Sequence, residues 1–528
     1  MAAKQKIKNI FSVLGILAFS FCNTTAQTYT NPILHEDYSD PDAIRVGNEF
    51  YMVASSFNHT PGLPILKSSD LVHWQLIGHA LKNNDPMDCY KKVQHGAGVW
   101  APSIRFHQGK YYIYYPDPDF GIYQISAKQI LGEWSKPVLV IPGKGLIDPC
   151  PLWDKNGKAY LVHAFAGSRA GIKSVLAIKE LNQDGTKVID EGKLIYDGHT
   201  IDPTIEGPKI YQRNGWYYIF APAGGVSTGW QTVLRSKQIY GPYERKKVMD
   251  QGNTNINGPH QGAWVQTNTG ENWFLHFQDK GAYGRIIHLQ PMQWKNDWPV
   301  IGEDKDGDGV GEPVATYHMP TMLKQRSQNF SKTNLKEVHP GKDLNYQWNA
   351  NENVNWRFPL LDQFRFYAIP LLDSSKNLWN FPALYLRKLP AESFTVISQL
   401  KMNSLQVGER AGFILFGKSY ASIELMHETN EMVLNYVECL NADKNNPEKK
   451  EIVLKNAPTL IFLKMQMSQG AMAQFSYSLN GLNYINLPHV FKAVPGVWVG
   501  AKMGFYCNSN KSTNDAGFME INSVTIQK

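Results

Sequence analysis

The sequence contains little cysteine. Its 528 residues include five cysteines, and none lies in a Cys-x-x-Cys pair or at the Cys/His spacing of a zinc site. This excludes a disulfide-rich scaffold and a structural zinc domain. Cys439 and Cys507 lie in the same part of the chain and could pair, but free buried thiols are the favoured interpretation.

Charge of one sign and long apolar runs are also limited. The formal net charge of +7 is spread along the chain without a basic run, so nucleic acid and acidic lipid are poor candidate partners. After the first 26 residues, no apolar stretch is long enough to span a bilayer as a helix. No long helical period is present, whereas proline and glycine recur throughout, which favours an all-β fold.

The first 26 residues have the pattern of a secretory signal peptide. Three lysines precede an apolar run over 10–21, which is too short for a membrane anchor, and a polar stretch then ends at Ala26. Cleavage after Ala26 would make the mature chain secreted or periplasmic. Cys22 also suggests a lipoprotein, but the bulky Phe21 before it makes this alternative the less favoured one.

One pattern recurs five times between residue 28 and about residue 318: a strand, a tight turn and a second strand rich in aromatic or branched residues. Asn214-Gly215 is the clearest turn, because Asn-Gly between two apolar runs is a strong hairpin signal. The other turns are Gly47-Asn48, Gln108-Gly109, Asn156-Gly157 and Gly270-Glu271. A period of about 50–60 residues suits one four-stranded propeller blade. The sequence therefore predicts a five-bladed β-propeller over residues 27–320.

A conspicuous side chain opens the first strand of each repeat. In chain order these residues are Asp40, Trp100, Asp148, Glu206 and His260. In a propeller, the innermost strand of every blade starts at the central channel. We therefore expect the five side chains to converge on one axis, and three of them are acids.

Three acids in register at a channel predict a site for chemistry. Hydrolysis at a sugar anomeric carbon needs one carboxylic acid to protonate the leaving oxygen and one carboxylate to activate water or to attack directly. A third acid nearby can push their pKa values apart by charge repulsion. For any one of these acids alone, an ordinary Asp-Pro turn or loop cap would be the better explanation.

Three neighbouring acids compete for these roles. Asp42 lies two residues after the first axial acid, on the same strand face, and Asp202 lies in another Asp-Pro pair. Glu206 is favoured over Asp202 because it precedes its turn by the same number of residues as Asp148 does. Asp154 adjoins a turn, where we expect it to be solvated.

The chain changes character beyond residue 320. Residues 321–345 are polar and lack a pattern, which suits a linker. Short apolar runs without helices fill 346–528, and Asn480-Gly481 marks another hairpin, so a β-sandwich is predicted. The loop 304–312 has alternating acids like a calcium loop, but Ala315 occupies the twelfth place, where an EF-hand needs glutamate. A polar loop is therefore the favoured interpretation of this segment.

Several segments of the first domain resemble glycoside hydrolase family 43. They are NPILHEDYSDPDAIRV, GVWAPSIRFHQGKYYIYY, LIDPCPLW, IEGPKIYQRNGWYYIF, GPHQGAWV and GRIIHLQPMQW. The second domain, with LWNFPALYLRKLPAESFTV and GERAGFILFG, is similar to the concanavalin A-like sandwich of the family's two-domain β-xylosidases. The WMNDPNG motif of the sucrose- and fructan-cleaving propellers is absent.

The resemblance implies an inverting enzyme with Asp40 as general base, Asp148 as pKa modulator and orienter, and Glu206 as general acid. It implies a secreted exo-glycosidase that hydrolyses β-xylosidic bonds in xylo-oligosaccharides. An α-L-arabinofuranosidase acting on arabino-oligosaccharides or on arabinoxylan or arabinan side chains is the alternative, because the two pentoses present similar hydroxyl geometry. A non-catalytic sugar-binding propeller is a third hypothesis, which the presence of all three acids disfavours.

The resemblance also implies supporting roles. It brings His260 towards a metal ion through water, so a structural calcium near the axis is expected, while no cofactor is required. Arg285 matches a substrate-contacting arginine, whose fixed fork of donors suits sugar hydroxyls. Gln261, next to His260, is assigned to substrate binding. Phe57 and Trp100 are expected to wall the sugar subsite, although each is otherwise an ordinary core aromatic.

The second domain is expected to approach the site without supplying an acid. In the related two-domain enzymes the sandwich sends a loop towards the mouth of the propeller, and here the polar loop 507–515 is the candidate. The resemblance leaves homo-oligomerisation open.

Overall fold

The chain folds into two all-β domains. The computed structural model describes residues 27–323, 335–360, 363–371 and 374–528, so the predicted signal peptide and part of the predicted linker lie outside the described residues. The helices in these ranges are single turns: α1 (Met87–Tyr90), α2 (Gly167–Ala170) and the 3₁₀ turns Gly281–Tyr283 and Ala442–Lys444. None of the described helices is long and apolar enough to cross a membrane.

The first domain contains five four-stranded antiparallel sheets, which confirms the predicted five-bladed propeller. A short strand, β1 (Thr28–Thr30), precedes them. Blade I contains β2 (Asp42–Val46), β3 (Glu49–Val53), β4 (Gly62–Ser68) and β5 (Gln75–Leu81). Blade II contains β6 (Ser103–His107), β7 (Lys110–Asp117), β8 (Gly121–Ala127) and β9 (Val138–Pro142). Blade III contains β10 (Leu146–Trp153), β11 (Ala159–Phe165), β12 (Val175–Leu181) and β13 (Lys193–Asp197). Blade IV contains β14 (Lys209–Arg213), β15 (Trp216–Ala223), β16 (Trp230–Ser236) and β17 (Glu244–Met249). Blade V contains β18 (His260–Gln266), β19 (Asn272–Asp279), β20 (Arg285–Lys295) and β21 (Trp298–Ile301).

The five predicted turns each join the first and second strands of a blade. Asn214 and Gly215 have φ of 49° and 73°, as a type I′ hairpin requires. The first strands of successive blades contact one another, β18 with β2, β2 with β6, β6 with β10 and β10 with β14. They therefore surround the axis, and the residues at their starts converge there. After blade V, β22 (Thr316–His318) pairs with β1 and joins the two ends of the domain.

Apolar side chains fill the spaces between blades. Met52 of blade I packs in one cluster with Leu275 and Leu289 of blade V, and Val162 of blade III packs in another with Ile219 of blade IV. Burying each such side chain contributes about 1.5–3 kcal/mol. This packing fixes the angles between the blades, and with them the relative positions of the axial residues.

The second domain is a sandwich of two eight-stranded sheets, which confirms the predicted class. One sheet contains β23 (Leu335–Val338), β25 (Arg357–Leu360), β26 (Gln363–Tyr367), β29 (Phe394–Asn403), β34 (Leu460–Ser468), β35 (Met472–Ser478), β36 (Ile485–Lys492) and β38 (Phe518–Gln527). The other contains β24 (Gln347–Trp348), β27 (Ile369–Pro370), β28 (Tyr385–Lys388), β30 (Arg410–Phe416), β31 (Tyr420–His427), β32 (Met432–Cys439), β33 (Lys449–Leu454) and β37 (Lys502–Ser509). In β29, buried residues alternate with more exposed ones, so Phe394, Val396 and Leu400 enter the core between the sheets.

The four cysteines within the described residues are free thiols, as expected from the sequence. Cys150, Cys439 and Cys507 are buried, and Cys89 is half-buried. The described part of the chain is therefore held together by packing and hydrogen bonds without a disulfide.

The two domains pack directly against each other. Thr60 of blade I and Trp348 of the sandwich exchange backbone hydrogen bonds, with Trp348 N–H donating to Thr60 O over 2.6 Å. The His95 ring stacks on Trp379 with 3.7 Å between ring centroids. These contacts lie beside the axial end of the propeller and bring part of the sandwich to it.

Candidate active site

One small cavity at the axis collects the three predicted acids. Asp40 lies just before β2, Asp148 lies in β10, and Glu206 lies just before β14, so each comes from a different blade. The cavity has a volume of about 100 Å³. It is lined by Asp40, Phe57, Trp100, Ala101, Ile147, Asp148, Glu206, Val226, Gln261, Arg285 and Trp498. All seven residues that the sequence assigns to catalysis or substrate binding therefore lie around one space.

A positive φ, in two cases next to a shift in strand register, orients several of these side chains. Asp40 and Asp148 both have φ of 56°, and Gln261 has φ of 34°, in the left-handed region that few non-glycine residues adopt. The strand register shifts between Ile147 and Cys150, and again between His260 and Gly262. A β-bulge of this kind re-aims a side chain. Aspartate tolerates the left-handed conformation because its short polar side chain bonds locally, which suits acids to these axial positions.

Asp40 is held by two donors. Ser55 Oγ donates to Asp40 Oδ2 over 2.6 Å. Arg285 Nη1 lies 3.3 Å from Asp40 Oδ1 and 3.4 Å from Oδ2. All three side chains are buried, so these hydrogen bonds fix the carboxylate at the cavity wall.

Asp148 is the most deeply buried of the three acids, with 1% of its surface exposed. Burial raises its pKa well above the usual range, and the nearby Glu206 and Asp40 raise it further. The Gly207 N–H, which donates to Asp148 Oδ2 over 2.7 Å, and Lys209 act in the opposite direction. Asp148 therefore keeps its proton to a higher pH than an ordinary aspartate does.

Glu206 is the most open of the three, with 30% of its side chain exposed. His260 Nε2 lies 2.9 Å from Glu206 Oε1, and the Glu206 N–H donates to Pro222 O over 3.1 Å. Gly207 has φ of 59°, and a side chain there would collide with Gln261 Cγ at 2.8 Å. The acid is thus positioned from both sides while its carboxyl group faces the cavity.

Aromatic rings and one guanidinium complete the wall. The Trp100 ring meets Phe57 edge-on at 6.4 Å and Trp498 at 6.2 Å. The Arg285 guanidinium lies 4.9 Å from the Phe277 ring centroid and 5.8 Å from that of Trp498. Gln261 Oε1 is buried and lacks a hydrogen-bond partner among the described residues, so it is available to a hydroxyl group in the cavity.

Trp498 comes from the second domain, and the sequence analysis missed it. The predicted contact was the loop 507–515, but residues 507–509 are part of strand β37, and the contact is made before that strand. Trp498 is 50% exposed and has φ of 62°. A tryptophan in the glycine- and proline-rich segment VPGVWVG was the available signal.

The competing acids take structural roles outside the cavity. Asp42 accepts hydrogen bonds from the Ile104 N–H and from Arg105 Nη1. Asp202 is buried and accepts hydrogen bonds from Arg245, Tyr196, Trp230 and Thr232. The expectation that Asp154 is solvated is wrong, because it is half-buried and bonded to Gln212 and Tyr217 of blade IV.

The described residues around His260 do not form a calcium cage. Calcium takes about 6–8 oxygen ligands, whereas His260 uses one ring nitrogen for Glu206 and its buried Nδ1 has no hydrogen-bond partner there. Within the described ranges, one group of three acidic, His or Cys side chains has metal-compatible spacing, and it is Asp304, Asp306 and Asp308. These acids follow β21 on a largely exposed loop, and Lys295 pairs with Asp304. The axial calcium thus stays a prediction.

Comparisons with known proteins agree with this architecture. The sequence model of glycosyl hydrolases family 43 matches residues 29–299. The sequence model of the β-xylosidase C-terminal concanavalin A-like domain matches residues 339–522. A relative of the β-xylosidase type from Xylanibacter ruminicola is 36% identical over 480 residues, covering 90% of this chain and 86% of its own length. A β-xylosidase from Formosa agariphila is 30% identical over 553 residues, covering 94% of this chain and 90% of its own length.

Two further comparisons bear on substrate and fold. A non-reducing end α-L-arabinofuranosidase from Bacteroides ovatus is 33% identical over 318 residues, covering 56% of each chain. The crystal structure of a xylan β-1,4-xylosidase from Bacillus halodurans superimposes with a TM-score of 0.82 at 21% identity, covering 94% of this chain and all of the other. At that identity the superposition supports the two-domain fold alone.

Proposed function

Because this chain belongs to glycosyl hydrolase family 43 and is a glycoside hydrolase, we propose that it removes single β-linked xylose units from the ends of xylo-oligosaccharides, with inversion. The observation that carries the proposal is the convergence of Asp40, Asp148 and Glu206 on one small cavity. Family membership and the three acids together disfavour a purely sugar-binding role. Hydrolysis by two carboxyl groups uses water and needs no cofactor.

Asp40 is the proposed general base. Its carboxylate is fixed by Ser55 and Arg285, and a base must be ionised and oriented to take a proton from attacking water. A water molecule activated by Asp40 would attack the anomeric carbon on the face opposite to the leaving group. Inversion follows from that single displacement.

Glu206 is the proposed general acid, and Asp148 its modulator. A general acid must reach the leaving oxygen, and Glu206 is the acid with an open carboxyl group. Asp148 is too deeply buried to serve a bulky leaving group, but its hydrogen bond to the Gly207 N–H positions the adjacent Glu206. The raised pKa of Asp148 keeps a proton next to Glu206, because burial and the neighbouring carboxyl groups oppose the ionisation of Asp148.

The size and lining of the cavity support an exo-acting enzyme. Sites for drug-sized ligands measure about 300–1,000 Å³, whereas this cavity of about 100 Å³ suits one small ring. Aromatic faces bind the apolar side of a sugar, and Arg285 offers a fixed fork of donors to hydroxyls. Trp498, on the propeller-facing side of the second domain, narrows the mouth beside Trp100. These features favour removal of a terminal residue over cleavage inside a chain.

An α-L-arabinofuranosidase is the second candidate. It is supported by the relative from Bacteroides ovatus, whose name gives that activity. Hydrolysis of an aryl β-xyloside and an aryl α-L-arabinofuranoside, measured side by side, separates the two. We expect the higher kcat/KM on the xyloside. A higher value on the arabinofuranoside would replace the first candidate by the second, and no turnover on either would contradict both.

We also propose that the protein is exported. The support is the pattern of three lysines, an apolar run and a polar stretch ending at Ala26. N-terminal sequencing of the mature protein tests it: a first residue at Gln27 is expected, a lipid-modified Cys22 would favour the lipoprotein alternative, and an unprocessed Met1 would contradict export by cleavage.

A further inference from the structure

We propose that Asp37 is a positioning residue that couples the second domain to the catalytic centre. The inference rests on the proposed function. Asp37 is buried and lies at the junction of the two domains. Its two carboxylate oxygens accept one backbone N–H from each domain: Oδ1 from Arg285 over 2.8 Å and Oδ2 from Gly500 over 2.9 Å.

The two hydrogen bonds lead to two different walls of the cavity. On the propeller side, Arg285 carries the guanidinium that contacts both oxygens of Asp40. On the sandwich side, Gly500 lies two residues after Trp498, which lines the cavity and faces Trp100. One carboxylate therefore sets the position of the base's partner and of the aromatic wall at the same time.

Close packing leaves this junction little freedom. A side chain on Gly284, where φ is 76°, would collide with the Asp37 carboxyl carbon at 2.4 Å. A side chain on Gly500 would lie 2.6 Å from the Gly284 nitrogen. The Gly284 and Gly500 backbones thus touch directly over the Asp37 carboxylate, and a shift of the sandwich loop must move the start of β20.

Two lysines of the sandwich interact electrostatically with Asp37. Lys388 is half-buried with its Nζ 3.4 Å from the Tyr38 ring centroid, and Lys502 is buried beside it on the neighbouring strand. Burial lowers the pKa of Lys388 to about 8 and lowers the pKa of Lys502 as well, and the Asp37 carboxylate acts against both shifts. Asp37 therefore links the domains by charge and by hydrogen bonds.

Asp37→Asn is the direct test, because asparagine keeps the size but has one acceptor oxygen for two N–H donors and no charge. The control is Gln347→Ala, which removes another interdomain hydrogen bond, the part-buried one from Gln347 Nε2 to Pro61 O. We expect Asp37→Asn to fold and to lose about tenfold or more in kcat/KM on the pentoside that the wild-type chain hydrolyses. Gln347→Ala should stay within about twofold of wild type.

A double-mutant cycle with Trp498→Ala distinguishes positioning from loss of stability. Substitutions in one contact network are not additive. If Asp37 acts through Trp498 and Arg285, Asp37→Asn should therefore lower log kcat/KM in the Trp498→Ala background by about half, or less, of what it does in the wild-type background. Gln347→Ala should be additive with Trp498→Ala. Hydrogen exchange of the segments around 285 and 500 should rise in Asp37→Asn and not in the control.

Several outcomes would overturn the inference. Asp37→Asn with kcat/KM equal to the control, or an additive cycle, would show that the junction does not position the site. If Asp37→Asn and the smaller-acceptor variant Asp37→Ser both fail to fold while Gln347→Ala folds, Asp37 is structural and the inference is wrong. Absence of hydrolysis by the wild-type chain would instead contradict the proposed function, and this inference with it.

Discussion

The Gly207 N–H donates a 2.7 Å hydrogen bond to Asp148 Oδ2, so the residue after the proposed acid is tied to the most deeply buried carboxyl group of the site. The bond fixes the backbone from which the Glu206 side chain extends. Burial, followed by the nearby Glu206 and Asp40, raises the pKa of Asp148 itself. The position of the proposed acid therefore depends on this neighbour.

Asp148→Asn should stabilise the fold at neutral pH while lowering activity. Burial and Glu206 raise the pKa of Asp148 in the folded chain, so the folded state holds this proton more tightly than the unfolded one. That contribution to stability is fully present below the ordinary pKa of about 3.9 and is lost as the pH rises towards the folded pKa. Asparagine does not ionise and still accepts the Gly207 N–H.

Thermal melts at pH 4 and pH 7 measure this effect. We expect Tm of the Asp148→Asn variant to exceed that of wild type by about 2 °C or more at pH 7, with a smaller difference at pH 4. Asp154→Asn is the control, because the pKa of Asp154 is shifted in the opposite direction. Hydrogen bonds from Tyr217 and Gln212 outweigh burial and lower the pKa of Asp154, so its loss should not raise Tm. A lower Tm for Asp148→Asn at pH 7 would contradict the account of this residue.

Asp40→Asn should abolish turnover and leave the fold intact. Asparagine tolerates the left-handed backbone of this position, where φ is 56°, but it does not accept a proton from water. We expect kcat to fall by about a thousandfold or more, near the upper range of acid–base contributions. Asp154→Asn, which changes an acid outside the cavity, should keep near-wild-type kinetics. A folded Asp40→Asn enzyme with wild-type rates would remove Asp40 from the mechanism.

Glu206→Ala should show a strong dependence on the leaving group. A sugar alkoxide needs a proton to depart, whereas a dinitrophenolate leaves almost unaided. The variant should therefore lose about a hundredfold to ten-thousandfold on xylobiose and far less on a dinitrophenyl xyloside. Asp148→Ala should slow both substrates and distort the pH profile, because it frees the backbone next to the acid and removes a carboxyl group with a raised pKa from the site.

Measuring kcat/KM of both variants on both substrates decides the assignment. Suppose that Glu206→Ala lowers kcat/KM equally on the two substrates, while Asp148→Ala lowers it far more on xylobiose than on the dinitrophenyl xyloside. The roles of the two residues would then be exchanged.

Trp498→Ala should weaken substrate binding without unfolding the protein. Half of this side chain is exposed, so little core packing is lost, but the cavity loses one aromatic wall. We expect KM on xylobiose to rise by about tenfold, with a smaller change in kcat, because the ring contacts Trp100 and Arg285 of the cavity wall and carries no group that transfers a proton. Trp216→Ala, at the far end of blade IV beside a turn, is the control and should leave KM unchanged. An unchanged KM for Trp498→Ala would mean that the second domain does not contribute to the sugar subsite.

The parts of the fold that depend on local residue preferences could be predicted from the sequence. Repeated turns such as Asn214-Gly215 predict the five blades, because asparagine and glycine are the residues that most readily adopt a positive φ in a tight turn. The axial register of Asp40, Asp148 and Glu206 follows from that repeat. Contacts between distant segments leave no such local signature. Trp498 and Asp37 meet the site only after the domains have docked, and no spacing along the chain encodes that geometry.

The central claim is a single displacement by water at the anomeric carbon, and proton NMR of the first product tests it most directly. With a dinitrophenyl β-xyloside as substrate and wild-type enzyme, so that the leaving group is not itself a xylose, we predict that the α-anomer of xylose appears first and then mutarotates to the equilibrium mixture. Inversion requires the acid and base carboxyl groups to stand about 6.5–9.5 Å apart, which leaves room for the water. A β-anomer as the first product would show that a carboxylate of the site attacks the sugar, and it would contradict the assignment of Asp40 as a base.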